Sequence, residues 1–79
     1  MNRPLNAIAG DIAKDWQKVN YAAKPYLEAM FALNSISDRY YLDSGEGIVR
    51  YFLANAQSWR GEKAKAIKAE LKGLLNARG

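Results

Sequence analysis

Apolar side chains recur every three or four residues through most of this chain, and this spacing constrains the fold more than any other feature of the sequence. The first such stretch spans residues 5–19, where polar and charged side chains fall on one side and apolar ones on the other. The apolar positions are Leu5, Ile8, Ala9, Ile12, Trp16 and Val19. This period is that of an α-helix with one buried side, so the stretch predicts an amphipathic helix.

Two further stretches have the same period. Residues 22–41 place their apolar side chains on one face, and Pro25 suits a first helical turn because the N–H that proline lacks has no partner there. We expect this to be the longest helix. Residues 45–58 carry apolar side chains around more than half of the circumference, which predicts a helix at the centre of the fold. These side chains are Ile48, Val49, Tyr51, Phe52, Leu53 and Ala56.

The stretch YLDSGEGIV, which separates the second and third helices, contains two of the chain's six glycines. A loop that binds phosphate is one interpretation, but such loops follow a strand, and the common nucleotide-binding type ends in Gly-Lys followed by Ser or Thr. Neither feature is present in the sequence pattern. The favoured interpretation is a helix break in which Asp43 or Ser44 caps the third helix, and Asp43 with Glu46 has the spacing of a capping box.

A fourth helix is predicted over residues 61–77. Its apolar face consists of Ala64, Ile67, Leu71, Leu74 and Leu75. At about 100° per residue, Lys65, Lys68 and Lys72 fall together on the adjoining arc. The sequence therefore predicts an all-α fold, a compact bundle of about four helices that forms a single domain over residues 1–79.

The residue types exclude most kinds of chemistry. The chain has no cysteine and no histidine, which removes disulfides, thiolate nucleophiles, imidazole bases and the usual zinc ligands. Asp11 and Asp15 lie on the polar side of the first helix, where we expect solvated carboxylates of ordinary acidity. We therefore predict no catalytic residue, no metal site and no cofactor, and we do not expect an enzyme.

The formal net charge of +4 comes entirely from the C-terminal half of the chain. Lys65, Lys68 and Lys72 are here called the lysine stripe. Three interpretations of this stripe stay open. It is a solvated helix face, a surface that binds an acidic protein, or a surface that binds nucleic-acid phosphate, to which Arg50, Arg60 and Arg78 could add if the fold gathers them.

Aromatic and small residues suggest two other surfaces. Four aromatic residues could stack bases or anchor a protein partner: Tyr40, Tyr41, Tyr51 and Trp59. Most of them have a spacing that also fits core packing, and the favoured anchors are Tyr40, Tyr41 and Trp59. Tyr40 and Tyr41 cannot point in one direction, so one of them should display its ring. On the fourth helix Ala69, Gly73 and Ala77 recur every four residues, a pattern that would let a second copy of the chain approach closely.

The segments IAGDIAKDW, AAKPYLEAM, DSGEGIVRYFLANA and WRGEKAKAIKAELKGLL together resemble small uncharacterised proteins encoded by bacterial phages and mobile genetic elements. The resemblance covers nearly the whole chain and implies an accessory protein inside a bacterial cell, but it assigns no activity to any residue. Asp11 and Asp15 interrupt the apolar run that a signal peptide requires, and we expect a cytoplasmic protein with no membrane partner. The sequence thus predicts a non-catalytic binding module that engages a protein, with nucleic-acid binding through the lysine stripe as the alternative.

Overall fold

The computed structural model describes residues 3–41 and 43–78, with the backbone alone at residues 77 and 78. In chain order its elements are α1 (Leu5–Asp15), α2 (Lys24–Phe31), β1 (Arg39–Tyr40), β2 (Asp43–Ser44), α3 (Gly45–Ala54) and α4 (Glu62–Arg78). The four helices of this part of the chain pack into one body of 27 × 25 × 19 Å. The prediction of a small, mostly helical bundle in a single domain is confirmed.

The core forms where the apolar faces of the helices meet. Every apolar position predicted for the first helix is buried except Val19, which is half-buried, and four of the five on the fourth helix are buried, with Leu74 half-buried. At one end of the core three large rings touch, and we call them the aromatic cluster: Trp16, Phe52 and Trp59. The indole rings of Trp16 and Trp59 are stacked with centroids 5.7 Å apart, and Phe52 meets them edge-on at 6.1 and 6.4 Å.

The second helix was wrongly predicted. It was expected to span residues 22–41 as the longest helix, yet α2 ends at Phe31 and, with eight residues, is the shortest helix in the described part of the chain. The cause lies in the sequence Asn-Ser-Ile-Ser-Asp at positions 34–38, because short polar side chains compete with the helix for backbone hydrogen bonds. The Asp38 carboxylate accepts hydrogen bonds from the backbone N–H groups of Asn34 and Ser35, at 2.9 and 3.1 Å.

The described residues between α2 and α3, residues 32–41 and 43–44, are here called the 32–44 segment and join the N-terminal ends of two helices. The backbone N–H of Leu5 in α1 donates to the carbonyl of Asn34 at 2.9 Å. The N–H of Glu46 in α3 donates to the carbonyl of Ile36 at 3.0 Å. The first N–H groups of a helix have no acceptor within the helix, so these two bonds satisfy donors that would otherwise be lost.

Residues 39–40 and 43–44 form a two-stranded antiparallel sheet in which Arg39 pairs with Ser44 and Tyr40 pairs with Asp43. The sequence pattern did not predict a strand before the third helix. Ser44 is the N-cap of α3, since its hydroxyl accepts a hydrogen bond from the Gly47 N–H at 3.0 Å. Of the two expected caps it is therefore Ser44 that occupies the N-cap position.

The other helices depart from prediction mainly at their ends. α1 stops at Asp15 rather than residue 19, and α3 stops at Ala54 rather than residue 58, whereas both ends of α4 lie within one residue of prediction. Gly61, which precedes α4, has a φ of +116°, a backbone conformation that residues with a Cβ rarely adopt. In the described residues, none of the helices has the length and apolar character needed to cross a lipid bilayer.

Candidate functional site

The predicted lysine stripe lies along α4 beside its buried face. Lys65 and Lys72 are exposed, whereas Lys68 is half-buried because its side chain reaches back to the loop before the helix. The Lys68 Nζ donates to the Trp59 carbonyl oxygen at 2.7 Å and lies 5.8 Å from the centroid of the Trp59 ring. Lys68 therefore fixes the position of the loop relative to α4, while its two neighbours remain free to meet solvent.

Arg60 joins these lysines, and we call Arg60, Lys65, Lys68 and Lys72 the lysine face. A shallow depression of about 310 Å³ lies between the loop and the helix, lined by Trp59, Arg60, Gly61, Ala64, Lys65 and Lys68. The pKa of Lys68 is lowered from its ordinary value, first by burial and then by repulsion from Lys72 and Arg60. These cations are thus close enough to repel one another.

Arg50 does not belong with them, although it was predicted to contribute to the same binding surface. Its Nη2 pairs with the Glu46 Oε2 at 2.8 Å, one turn earlier on α3. A guanidinium already paired on its own helix is a poor candidate for an added phosphate contact. The structure therefore gathers Arg60, Lys65, Lys68 and Lys72 and leaves out Arg50. The side chain of Arg78 lies outside the described residues.

Trp59 was predicted as an anchor that contacts a partner, but only 2% of its surface is exposed. Its ring is stacked in the aromatic cluster, and its Nε1 donates to the Asp15 Oδ2 at 2.8 Å. It contributes to the site indirectly, because its buried ring and its carbonyl oxygen hold Lys68 and Arg60 in position. The core-packing alternative stated for this residue is the one that the structure supports.

One of the two adjacent tyrosines, Tyr40 and Tyr41, displays its ring to solvent, as predicted. Tyr40 is half-buried and packs against the core, whereas Tyr41 is 85% exposed, and the ring centroids lie 4.7 Å apart at an angle of 75°. Tyr41 has φ of +58°, an unusual conformation for a bulky residue. Of the three predicted anchors, Tyr41 is the one that displays its ring to solvent.

The structure shows a second aromatic surface. Tyr51 was expected among the core residues of the third helix, with a role as an anchor left open, but it is 58% exposed. Its ring stacks on that of Tyr26 in α2 with centroids 5.4 Å apart. Tyr21 is 86% exposed, and the adjacent Asn20 donates from Nδ2 to the carbonyl of Asn55 at 3.4 Å, which ties this turn to the end of α3. We call the stacked pair of Tyr26 and Tyr51 the tyrosine surface.

A helical projection of α3 contains the signal that was overlooked. Tyr51 lies at the edge of the apolar arc, beside the exposed Arg50 and Ala54, about 120° from the centre of the buried face. Treating every apolar residue of the helix as core made the buried arc too wide. A tyrosine at such an edge can stay in contact with solvent because its ring carries a polar hydroxyl.

Between α1 and α2 lies a groove of about 350 Å³ with an apolar floor. Ala13, Val19, Leu27 and Phe31 supply its apolar surface, and Lys18, Lys24 and Glu28 stand at its sides. Phe31 is nearly half exposed here. This groove lies on the side of α2 away from the tyrosine surface and was not anticipated from the sequence.

The two carboxylates of α1 have structural partners. The Arg3 guanidinium pairs with Asp11 and with Glu70, whose Oε1 lies 2.8 Å from the Arg3 Nη2, so it ties α1 to α4. The hydrogen bond from Arg3 lowers the pKa of Asp11, which makes the prediction of ordinary acidity wrong for this residue. The carboxylates of Glu70 and Asp11 raise the pKa of Arg3 through their hydrogen bonds with its guanidinium. Asp15 accepts the Trp59 N–H described above.

The small residues of α4 lie on its outer surface. Ala69 and Gly73 are exposed, and a Cβ added at Gly73 would meet no atom within 4 Å, while the Ala77 side chain lies outside the described residues. Self-association through this face stays a prediction. Sedimentation of a Gly73→Leu variant tests it, because a bulky side chain should weaken a close helix contact.

Comparison of the chain with protein-family models, with curated proteins and with solved structures gives no match. The support for a function comes from the surfaces described above.

Proposed function

We propose that this protein is a small, non-catalytic binding module that engages a protein partner through its tyrosine surface. The observation that carries the proposal is the stacked pair of Tyr26 and Tyr51, which spans two helices while more than half of Tyr51 remains in contact with solvent. A role as an accessory protein in the bacterial cytoplasm, which the resemblance implies, is part of this proposal.

The chemistry of tyrosine supports a protein as the partner. A tyrosine ring offers a large contact area with few rotatable bonds, and its hydroxyl can both donate and accept a hydrogen bond. Tyrosine is accordingly enriched among the residues that dominate the binding energy of protein interfaces. The partially exposed pair would bury further apolar area without first breaking a hydrogen bond inside the bundle.

The ordering of the rings also favours binding. Because Tyr51 is already stacked on Tyr26, its side chain would lose little conformational entropy when a partner binds. Stacked aromatic pairs contribute about 0.5–1.5 kcal/mol beyond the area they bury, so the arrangement should persist in the free protein. The surface is therefore organised before a partner arrives.

Photo-crosslinking from the tyrosine surface tests this proposal. Tyr51 is replaced by benzoylphenylalanine, which keeps an aromatic ring at that position, and the variant is irradiated in cells that naturally produce the chain. We expect a crosslink to one discrete protein. For that protein, Tyr51→Ala should weaken binding about 30-fold, which corresponds to the roughly 2 kcal/mol typical of a dominant interface residue.

The matched control carries benzoylphenylalanine at Ala69, which is exposed on the outer side of α4. Crosslinking of the same protein with equal yield from positions 51 and 69, or of no protein from position 51, would contradict the proposal. Tyr51→Phe separates the two contributions of the ring, since it keeps the stacking and removes only the hydroxyl. The same label at Tyr41 shows whether the two-stranded sheet contacts the partner instead.

A further inference from the structure

The ion pairs of this protein leave its positive charge unevenly compensated. In residues 3–41 and 43–78, the ion pairs within 4 Å join Arg3 to Asp11 and Glu70, and Arg50 to Glu46. None of them involves the lysine face, whose charges therefore lack a close carboxylate in the described part of the chain. Of the two acidic residues on α4, Glu62 lies three positions before Lys65, and Glu70 is paired with Arg3.

The lysine face is held in position rather than spread over mobile side chains. Lys68 is bound to the Trp59 carbonyl oxygen at 2.7 Å, and the Trp59 ring is fixed in turn by the aromatic cluster. This places Arg60 at the end of a row that continues along α4 through Lys65 and Lys72. The row runs beside the depression described above.

The repulsion among the cations of this row favours the binding of an anion. Burial, Lys72 and Arg60 all lower the pKa of Lys68, so the charged form of Lys68 is held at a free-energy cost in the folded protein. A bound anion would offset the repulsive part of that cost. An anion should thus bind the folded protein better than the unfolded chain, in which these charges are far apart.

The dimensions of the row fit a polymer with regularly spaced charges. Lys65 and Lys72 are seven residues apart on one helix, which at about 1.5 Å per residue is roughly 10 Å. One strand of duplex DNA carries a negative charge about every 3.4 Å along the helix axis. The length of the row therefore matches about three phosphate intervals along the duplex axis.

The neighbouring side chains argue against a membrane surface. A helix that binds lipid places large apolar residues between its cations so that they can enter the bilayer. On α4 the apolar residues beside the lysines, Ile67, Leu71 and Leu75, are buried in the bundle. The lysine face offers charge without an apolar surface to insert.

We propose that the lysine face, consisting of Arg60, Lys65, Lys68 and Lys72, binds the sugar–phosphate backbone of nucleic acid without reading its sequence. Lys65, Lys72 and Arg60 supply the direct contacts. Lys68 acts as a positioning residue, since its Nζ is bonded to the loop. This site is separate from the tyrosine surface and does not depend on the protein partner proposed above.

Fluorescence polarisation of the full chain with labelled generic duplex and single-stranded DNA tests this inference. Three to four phosphate contacts predict that affinity for duplex DNA falls about 40- to 150-fold between about 50 and 200 mM salt. Lys65→Glu combined with Lys72→Glu should abolish binding. The milder pair Lys65→Gln and Lys72→Gln should reduce the slope of log affinity against log salt by about 2.

The matched control is the double variant Lys18→Glu and Lys24→Glu, which changes net charge by the same amount at two exposed lysines on the groove between α1 and α2. We expect it to retain most of the binding. Glu62→Gln should tighten binding severalfold, because it removes the negative charge beside Lys65. Circular dichroism of each variant verifies that the helices are intact.

Three results would overturn the inference. The first is no binding to either DNA at about 50 mM salt. The second is an equal loss of binding in the control double variant, which would assign the effect to net charge alone. The third is binding to vesicles of phosphatidylserine and phosphatidylcholine in the absence of DNA binding, which would identify a lipid headgroup as the source of phosphate.

Because photo-crosslinking from Tyr51 reports on a different surface, failure of either proposal can be recognised independently of the other.

Discussion

The aromatic cluster and the 32–44 segment connect the same helices by different kinds of interaction. The cluster joins α1, α3 and the loop before α4 through three packed rings, so its contribution comes from buried apolar area and ring contacts. The 32–44 segment joins the N-termini of α1 and α3 mainly through backbone hydrogen bonds and a close approach of main chains. The first kind of interaction leaves a periodic signal in the sequence and the second does not.

Phe52→Ala should have the largest effect, because Phe52 is fully buried at the centre of the aromatic cluster. Removing a buried phenylalanine ring costs about 3–5 kcal/mol. A chain of this length has a total stability of about 4–12 kcal/mol, so much of the margin would be lost. Urea unfolding followed by circular dichroism measures the change.

Phe52→Leu is the control for this prediction, since leucine refills much of the space and should cost distinctly less than alanine. A loss below about 1 kcal/mol in Phe52→Ala would show that the cluster contributes less than its burial implies. The comparison between the two regions would then have to be reversed.

Gly45→Ala probes the 32–44 segment at its tightest point. A Cβ at Gly45 would lie 2.8 Å from the Ser35 carbonyl oxygen and 3.0 Å from the Ile36 Cα, both of which belong to the backbone and cannot rotate away. We expect a loss of about 1–3 kcal/mol, the usual cost of overpacking a filled site. Equilibrium unfolding in urea provides the measurement.

The control is Gly73→Ala on α4, where a new Cβ meets open space. Alanine is a better helix former than glycine, so this change should stabilise the protein by about 0.5–1 kcal/mol. If the free energy of unfolding falls in Gly45→Ala and rises in Gly73→Ala, the loss is due to the contact of the new Cβ with Ser35 and Ile36. Equal effects at both positions would contradict it.

Ser44→Ala should have a smaller effect, about 1 kcal/mol, because it removes the hydroxyl that accepts the Gly47 N–H at the start of α3. Asp43→Ala should change the free energy of unfolding much less, since Asp43 does not occupy the N-cap position. The two variants are compared by thermal unfolding. A larger loss from Asp43→Ala would mean that the capping box suggested by the spacing of Asp43 and Glu46 stabilises the helix after all.

Sequence reasoning succeeded where one residue type at a regular spacing decides the structure. The apolar faces of α1 and α4 and the grouping of Lys65, Lys68 and Lys72 follow directly from the helical period. Arg60 lies two residues before α4, and its addition to the lysines was predicted only on the condition that the fold gathers the basic residues. The predictions for the two helices needed no knowledge of how the helices pack.

It failed where a local competition or a tertiary contact decides. Leu33 and Ile36 have helical spacing and are buried, but the polar residues around them end α2 and place them in a turn. Tyr51 is exposed although it was expected in the core, and Trp59 is buried although it was a favoured anchor, because their exposure depends on how the other elements pack against them. Helical spacing identifies an apolar face but does not show how much of it the neighbouring helices cover.

The smallest predicted effect concerns the ion pairs by which Arg3 ties α1 to α4, outside both compared regions. The pKa of Asp11 is lowered from its ordinary value of 3.8 in the folded protein, so its carboxylate stabilises the fold when it is charged. That contribution is complete above the ordinary pKa of an unfolded aspartate and disappears as the pH falls through the lower folded-state pKa. Unfolding in urea at a series of pH values should therefore show a difference in the free energy of unfolding between the wild type and Asp11→Asn. This difference should be largest above about pH 4 and should close below it.

The difference in the free energy of unfolding should also shrink with added salt, because the side chains of Arg3 and Asp11 are 40% and 34% exposed. A difference that grew as the pH fell would have the wrong sign for this ion pair, and the link between α1 and α4 would then rest on packing alone.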